Sequence, residues 1–375
     1  MRVLFWCELF WPHVGGIEVL AAQYVPAMRA RGVELTVVTS HDDSIRLPDR
    51  ADHDGVPVYR FPFRAALAAR DVGALLALRQ QVRALQRELQ PDLIHIFAIG
   101  PSALFHVQSR AACPAPVLVT MHGEALRGGA DRGDTVLEKT LASATWVACV
   151  SEAVLRATRG FAADLARRSS VIYSGVPSPS RPRPQRSDAA PMLLCVGRLV
   201  RDKGFDRAIS AFAAVAGRFP AAHLVIAGDG PMRADLEAQV AAADLADRVT
   251  FTGWLAPADV PELLHKATLV LMPSRREGLP LVAVQAAQMG TPVVGTDVGG
   301  LPEVVVDRTT GLLVPAEDPP ALADAVAFLL THPAAAAQMG VEGRRRADEV
   351  FGWDRYLDAH EALYRRLIDP GTDAR

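Results

Sequence analysis

Short, uninterrupted apolar runs alternate almost end to end with longer stretches of helical period. The runs read RVLFWC, VELTVVT, DLIHIF, PVLVT, TWVACV and SSVIYS. After a break the pattern resumes with MLLCVG, HLVIAG, RVTFTG, TLVLM, TPVVGT and GLLVP. Between them, residues 16–31, 72–89, 205–218, 232–243, 279–289 and 321–330 carry helical spacing. A strand without polar alternation is buried on both faces, which requires helices on both sides of a parallel sheet. The predicted class is therefore α/β, doubly wound and Rossmann-like. The break, PSPSRPRPQRSDAAP at residues 177–191, has no apolar period and reads as an interdomain linker. With 375 residues to distribute, two domains are expected: 1–176 before the linker and 192–352 after it, facing each other across a cleft. A final amphipathic helix is expected at 353–368.

Forty basic and 42 acidic residues leave a formal charge of −2. No long-range field draws nucleic acid, so an anion site has to be local. The Ala- and Arg-rich, Lys-poor composition is read as coding bias. Cys7, Cys113, Cys149 and Cys195 form no metal knuckle or redox pair, and are expected as buried, reduced thiols of a cytoplasmic protein. The first residues, MRVLFWCELFWP, lack a basic leader and are broken by Glu8, so they suit a buried strand better than a signal peptide. No run of ~18 apolar residues is present to span a membrane.

In doubly wound sheets, ligands sit at the carboxyl ends of strands. Four loops there carry candidate residues. After MLLCVG, Arg198 and Lys203 could clamp a diphosphate at a strand–loop–helix junction, or be solvated charges. After TLVLM, Glu277 precedes a helix start. Its carboxylate could accept sugar hydroxyls, and the amides of Gly278, Leu279 and Leu281 could face a phosphate, Pro280 having none. Gln285, about two helical turns on, would reach a nucleoside. The plain alternative for Glu277 is an acid favoured by the helix dipole. Gly15 and Gly16 open the first long helix and permit close approach of a phosphate, or simply a tight turn. His122, after PVLVT, could donate or accept in the cleft, or be structural.

Together these segments resemble the GT-B retaining glycosyltransferases of family 4, the glycosyl transferases group 1. The matching stretches are VGRLVRDKG, LVIAGDGP, VTFTGW, MPSRREGLPLVAVQAAQMGTPVVGTDVGGLPEVV and TGLLVPAEDP, with PHVGGIE, MHGE, VSEAV and VIYSGVP in the first half. The resemblance implies an N-terminal acceptor domain, completed by helix 353–368 crossing back, and a C-terminal donor domain. It implies that Arg198 and Lys203 hold the diphosphate, that Glu277 contacts the donor sugar, that Gly16 lies near the phosphates and that His122 lies near the sugar. Thr252, Gly253 and Trp254 would receive the base. Two positions depart from the family: Gln285 stands for the second Glu of the Glu-x7-Glu motif, and Ser174 for the Asn of VIxNGV. A neutral amide still bonds ribose hydroxyls, but with less energy than a carboxylate.

The implied reaction moves a hexosyl unit from a UDP- or GDP-linked sugar to a hydroxyl of a sugar, a lipid-linked or a small-molecule acceptor, in glycan, polysaccharide or glycolipid synthesis. The nucleotide sugar is a co-substrate, and no cofactor or metal is expected. The only DxD-like pair, Asp52 and Asp54, lies in what reads as a polar loop, residues 41–55. Beside Leu75, Leu78, Val82, Leu85 and Leu89, the basic stripe Arg79, Arg83, Arg87 reads as a solvated flank; its alternative is peripheral contact with the inner face of a membrane. The competing functions are a nucleotide-sugar epimerase or a phosphorylase on the same fold, and a non-catalytic nucleotide-sugar-binding subunit.

Overall fold

The computed structural model describes residues 1–41, 46–123, 135–178 and 190–371. The expected linker therefore lies outside the described residues except at its ends, and so does Glu124 of the MHGE motif. The chain divides into two compact units, Met1–Ile172 with Tyr356–Arg375, and Tyr173–Arg355.

The first unit is built on eight strands: β1 (Arg2–Cys7), β2 (Glu34–Ser40), β3 (Arg50–His53), β4 (Val56–Phe61), β5 (Leu93–Ala98), β6 (Val117–Met121), β7 (Trp146–Cys149) and β8 (Ser169–Val171). They lie in the order β3-β4-β2-β1-β5-β6-β7-β8. All neighbours are parallel except β3 and β4. The apolar run of β1 is buried from Val3 to Cys7, as a central strand covered on both faces must be.

Two features of this unit differ from expectation. The stretch 41–55 is not simply a polar loop: β3 and β4 form an antiparallel hairpin whose turn is Asp54–Gly55, both with positive φ. Asp52 accepts a hydrogen bond from the Gly55 amide at 2.7 Å, so its carboxylate serves the turn. The basic stripe of helix Val72–Leu89 is not fully solvated either. Arg79 and Arg83 are half-buried, and Arg83 donates to the Gln108 carbonyl at 3.0 Å.

Helix Trp353–Ile368 buries Tyr356, Leu357, His360, Leu363 and Tyr364 on one face. Within the first unit the Tyr364 hydroxyl meets His95 Nδ1 at 2.6 Å and the Tyr24 hydroxyl at 2.8 Å, and His95 Nε2 meets Thr120 at 2.8 Å.

The second unit holds β9 (Met192–Val196), β10 (His223–Ala227), β11 (Val249–Gly253), β12 (Leu269–Met272), β13 (Val293–Thr296) and β14 (Gly311–Val314), all parallel, in the order β11-β10-β9-β12-β13-β14. Leu193 and Cys195 of β9, Leu269 and Leu271 of β12, and Ile209 and Phe212 of helix Phe205–Ala216 meet in its core. The connections run one way from β9 and the other way from β12. The strand order thus reverses between these two, and the loops beyond their carboxyl ends flank a topological switch point. All four cysteines are free and buried. Among the described residues no single helix is long and apolar enough to cross a membrane; Pro319–Thr331 and Pro333–Val350 satisfy length and composition only taken together, and they are bent by 100°.

Candidate active site

The loop after β9 is shaped by its neighbours. The Gly197 amide donates to the Ala227 carbonyl and the Leu199 amide to the Asp229 carbonyl, both at 2.9 Å. The chain then makes one 3-10 turn, Arg201–Lys203, and leaves it through Gly204 at φ +67°. A Cβ on Gly204 would stand 1.9 Å from the Pro273 carbonyl oxygen, so only glycine lets this loop lie against the end of β12. Lys203 is thereby delivered to the switch point. Its Nζ donates to Oε1 of Glu277 at 2.7 Å. The Lys203 side chain keeps 31% of its surface exposed and that of Glu277 only 6%.

Glu277 is fixed from three sides. Ser274, three residues earlier in the loop, donates its hydroxyl to the same Oε1 at 2.7 Å. The loop after β13 presses on the backbone: Gly299, at φ +54°, would place a Cβ 1.8 Å from the Glu277 carbonyl oxygen. Oε2 accepts no hydrogen bond among the described residues. A buried carboxylate normally fills its acceptor sites, so this oxygen is poised for an incoming donor such as a hydroxyl. Lys203 likewise has three N–H donors and commits one to Glu277.

Helix Leu281–Gln288 begins beyond Pro280, two residues later than the sequence suggested, because Pro280 takes the N-cap position and contributes no capping side chain. The first-turn amides of Leu281 and Val282 donate to nothing among the described residues, which is the arrangement that attracts an anion. Leu279 is buried, and Gly278 is half-buried beside Glu277. Gln285 is half-buried on this helix, and its side-chain amide makes no hydrogen bond among the described residues. Arg198 is exposed; its carbonyl accepts from the Val200 amide at 2.8 Å, while its guanidinium has neither hydrogen bond nor ion pair among the described residues. At the end of β11, the Gly253 carbonyl accepts from the Gly228 amide at 2.9 Å, Thr252 is exposed, and Trp254 is 52% exposed.

The structure thus joins Lys203 and Glu277 directly and sets Arg198, Gly278, Leu279, Leu281, Gln285 and Trp254 on loops and a helix, and Thr252 and Gly253 at the end of β11, all in the same unit. Gly15, Gly16 and His122 belong to the other unit. Gly15 is the N-cap of helix Gly16–Ala30 in extended conformation. A Cβ there would meet only the flexible end of Glu18, and one on Gly16 would meet nothing within 4 Å. Neither glycine is demanded by φ or by packing. His122 lies past β6, with a ring N–H bonded to the Phe97 carbonyl and the Phe97 ring edge-on at 4.6 Å. Its Nε2 has no partner among the described residues. Burial, with a smaller contribution from His360, pushes its pKa down to about 4 against the Phe97 bond. The ring is neutral at neutral pH, and Nε2 is an acceptor.

Sequence reading missed Ser274, Asp206 and Arg275. Ser274 had a signal, three residues before Glu277. The other two had none, since their meeting depends on how β9 and β12 pair.

Residues 14–178 match the family model described as Glycosyltransferase Family 4, and residues 179–346 that of Glycosyl transferases group 1. The chain is 29% identical to a GDP-mannose-dependent alpha-(1-6)-phosphatidylinositol monomannoside mannosyltransferase of Mycobacterium tuberculosis, over 94% of this chain and 95% of that one. It is 40% identical over 180 residues to the alpha-D-kanosaminyltransferase of Streptomyces kanamyceticus, a stretch spanning 48% of this chain and 47% of that protein. Among solved structures, sucrose-phosphate synthase of Thermosynechococcus elongatus matches with a TM-score of 0.81 at 25% identity, over 99% of this chain and 100% of that one. Anabaena HepE, crystallised with UDP-glucose, matches at 0.79 with 20% identity over 97% and 99%, a likeness of fold.

Proposed function

The chain belongs to the family 4 glycosyltransferases of the GT-B fold, and from that premise we propose that it moves a hexosyl group from a UDP- or GDP-linked donor to an acceptor hydroxyl with retention of configuration. The observation that carries this reading is the Lys203–Glu277 pair at the switch point of the second unit, with Glu277 Oε2 open and the Arg198 guanidinium unpaired among the described residues. Two cations and the uncapped amides of Leu281 and Val282 suit a pyrophosphate. The open carboxylate oxygen suits a sugar hydroxyl.

In this scheme the bond between the anomeric carbon and the phosphate oxygen breaks while the acceptor oxygen bonds to the same face. The acceptor proton passes to the departing phosphate. Arg198, Lys203 and the helix amides stabilise the negative charge that grows on the leaving group. These cations supply the neutralisation that a divalent metal gives other transferases, so we infer turnover without added metal. Neutral His122 would accept a hydroxyl hydrogen bond from the sugar. The acceptor is a sugar, a lipid-linked or a small-molecule hydroxyl, a reading supported by the mannosyltransferase relative's name, which gives a phosphatidylinositol-linked acceptor, and we place the reaction in the cytoplasm, in glycan or glycolipid synthesis.

A melting-temperature panel of UDP-, GDP- and ADP-sugars, followed by product analysis with the stabilising donor, tests this reading. A ligand that binds only the folded chain raises its melting temperature. One nucleotide sugar should stabilise the protein and be consumed to an α-linked product when its acceptor is supplied. Absence of stabilisation by every nucleotide sugar, or an inverted product, contradicts it. Conversion of the donor without acceptor would favour an epimerase.

A further inference from the structure

Behind the Lys203–Glu277 contact, the same two loops are tied a second time. Arg275 sits two residues before Glu277, and its guanidinium forks onto Asp206, with Nη1 to Oδ1 at 2.8 Å and Nη2 to Oδ2 at 2.6 Å. Nη1 also donates to the Arg201 carbonyl at 2.8 Å, and the Arg275 amide donates to the Asp202 carbonyl at 2.7 Å. Arg201 and Asp202 immediately precede Lys203, and Asp206 follows it on the first turn of helix Phe205–Ala216. One residue of the Glu277 loop therefore grips the Lys203 loop on both sides of the lysine. The fork is mostly shielded, with 19% of the Arg275 side chain and 31% of the Asp206 side chain exposed. The guanidinium holds the Asp206 carboxyl below the usual carboxylate range. Beside it, buried Arg207 pairs with the exposed Glu317, whose carboxylate also lies 3.7 Å from Arg275 Nε, and Arg207 donates to the Pro273 carbonyl at 3.4 Å. The next residue, Arg276, is exposed and bonded to nothing among the described residues.

We propose that Arg275, through its fork to Asp206, is a positioning residue that sets where Lys203 stands relative to Glu277. The inference rests on the reading of Lys203 and Glu277 as donor-binding groups. A planar fork fixes distance and orientation together, which a lysine at the same place cannot do. A misplacement of about 1 Å in a catalytic constellation costs on the order of 10²-fold in rate, so the rigidity of this tie matters to turnover although Arg275 touches no substrate.

The test is a double-mutant cycle on donor turnover with R275A, K203A and their combination, each assayed well below its own melting temperature, with R276A as control. If Arg275 acts through Lys203, R275A lowers kcat about tenfold or more, R276A leaves it unchanged, and adding R275A to K203A costs nothing further. R275K, which keeps the charge but not the fork, recovers part of the loss and serves in place of R275A if that variant does not fold. Fully additive losses, or an R275A enzyme with normal kcat, overturn the proposal. A K203A enzyme with normal turnover instead overturns the donor-site reading beneath it.

Discussion

Lys203 Nζ and Glu277 Oε1 stand 2.7 Å apart although 74 residues separate them in sequence. Parallel pairing of β9 with β12 brings them together, since each residue lies on the loop beyond the carboxyl end of one of these neighbouring strands. The pair is asymmetric. The carboxylate is nearly enclosed and the ammonium reaches outward, so the lysine can turn spare donors to a ligand while holding the acid in place.

Replacing Glu277 by Gln keeps shape and removes charge. E277Q should lower kcat on the order of 10²-fold, the cost of losing one preorganised electrostatic contact, while binding of the nucleoside diphosphate alone changes little. Steady-state kinetics and calorimetry on the same variant check this. Wild-type turnover in E277Q would exclude the carboxylate from the chemistry.

Gly16 separates folding from function. Because a Cβ there meets nothing within 4 Å and φ is unremarkable, G16A should leave the melting temperature unchanged or slightly raised, alanine being the better helix former. If a phosphate approaches this backbone, donor KM rises or kcat falls, because a Cβ blocks the close approach that glycine permits. An enzyme with unaltered kinetics would return the glycine pair to an ordinary turn.

Stability should decline in mild acid. Burial, chiefly, pushes His106 and His360 down to about 4, and His95 well below its usual value. In the unfolded chain these rings titrate near ~6.5. Between the two values the unfolded state binds more protons. The stability present above ~6.5 is therefore lost as pH falls toward 4, by up to about 1.4 kcal/mol per pH unit for each ring. Urea midpoints at pH 7.5 and 5 measure this, and a midpoint equal or higher at pH 5 would show that these rings are charged in the fold.

Gln285 is the family's departure at the nucleoside end. A charged acceptor strengthens a hydrogen bond by roughly 1 kcal/mol over a neutral one, so Q285E should tighten nucleoside diphosphate binding about fivefold. Calorimetry decides, and weaker binding by Q285E would mean that the amide donates to its ligand here.

Much of this molecule could be read from the chain because fully buried parallel strands leave continuous apolar runs. β1 and β12 fall within a residue of their runs, and helices Val72–Leu89 and Trp353–Ile368 match their periods. The hairpin β3–β4 leaves little trace in the apolar pattern because RADH is polar and lies at the sheet edge. Its one signal was Asp54–Gly55, a turn pair before the alternating VPVYRF. Helix Pro333–Val350 is hidden from periodicity for another reason. It packs through Met339 and the small residues Ala336, Gly340, Gly343 and Ala347, and a Cβ on Gly340 would meet the Gly290 carbonyl oxygen at 2.1 Å. Small residues used for close approach leave no apolar stripe. At the site, Lys203 and Glu277 were visible as loop residues after strands, but their contact and the Arg275–Asp206 fork depend on strand order, which local periodicity does not encode.

The most direct test compares nucleoside diphosphate affinity in the wild-type chain and in a protein carrying both Arg198→Ala and Lys203→Ala, by calorimetry at fixed salt. Loss of two charge-assisted contacts, at roughly 1.5–3 kcal/mol each, should weaken binding on the order of 10²-fold or more. Equal affinity in the two proteins would mean that the diphosphate is held somewhere other than the loop after β9.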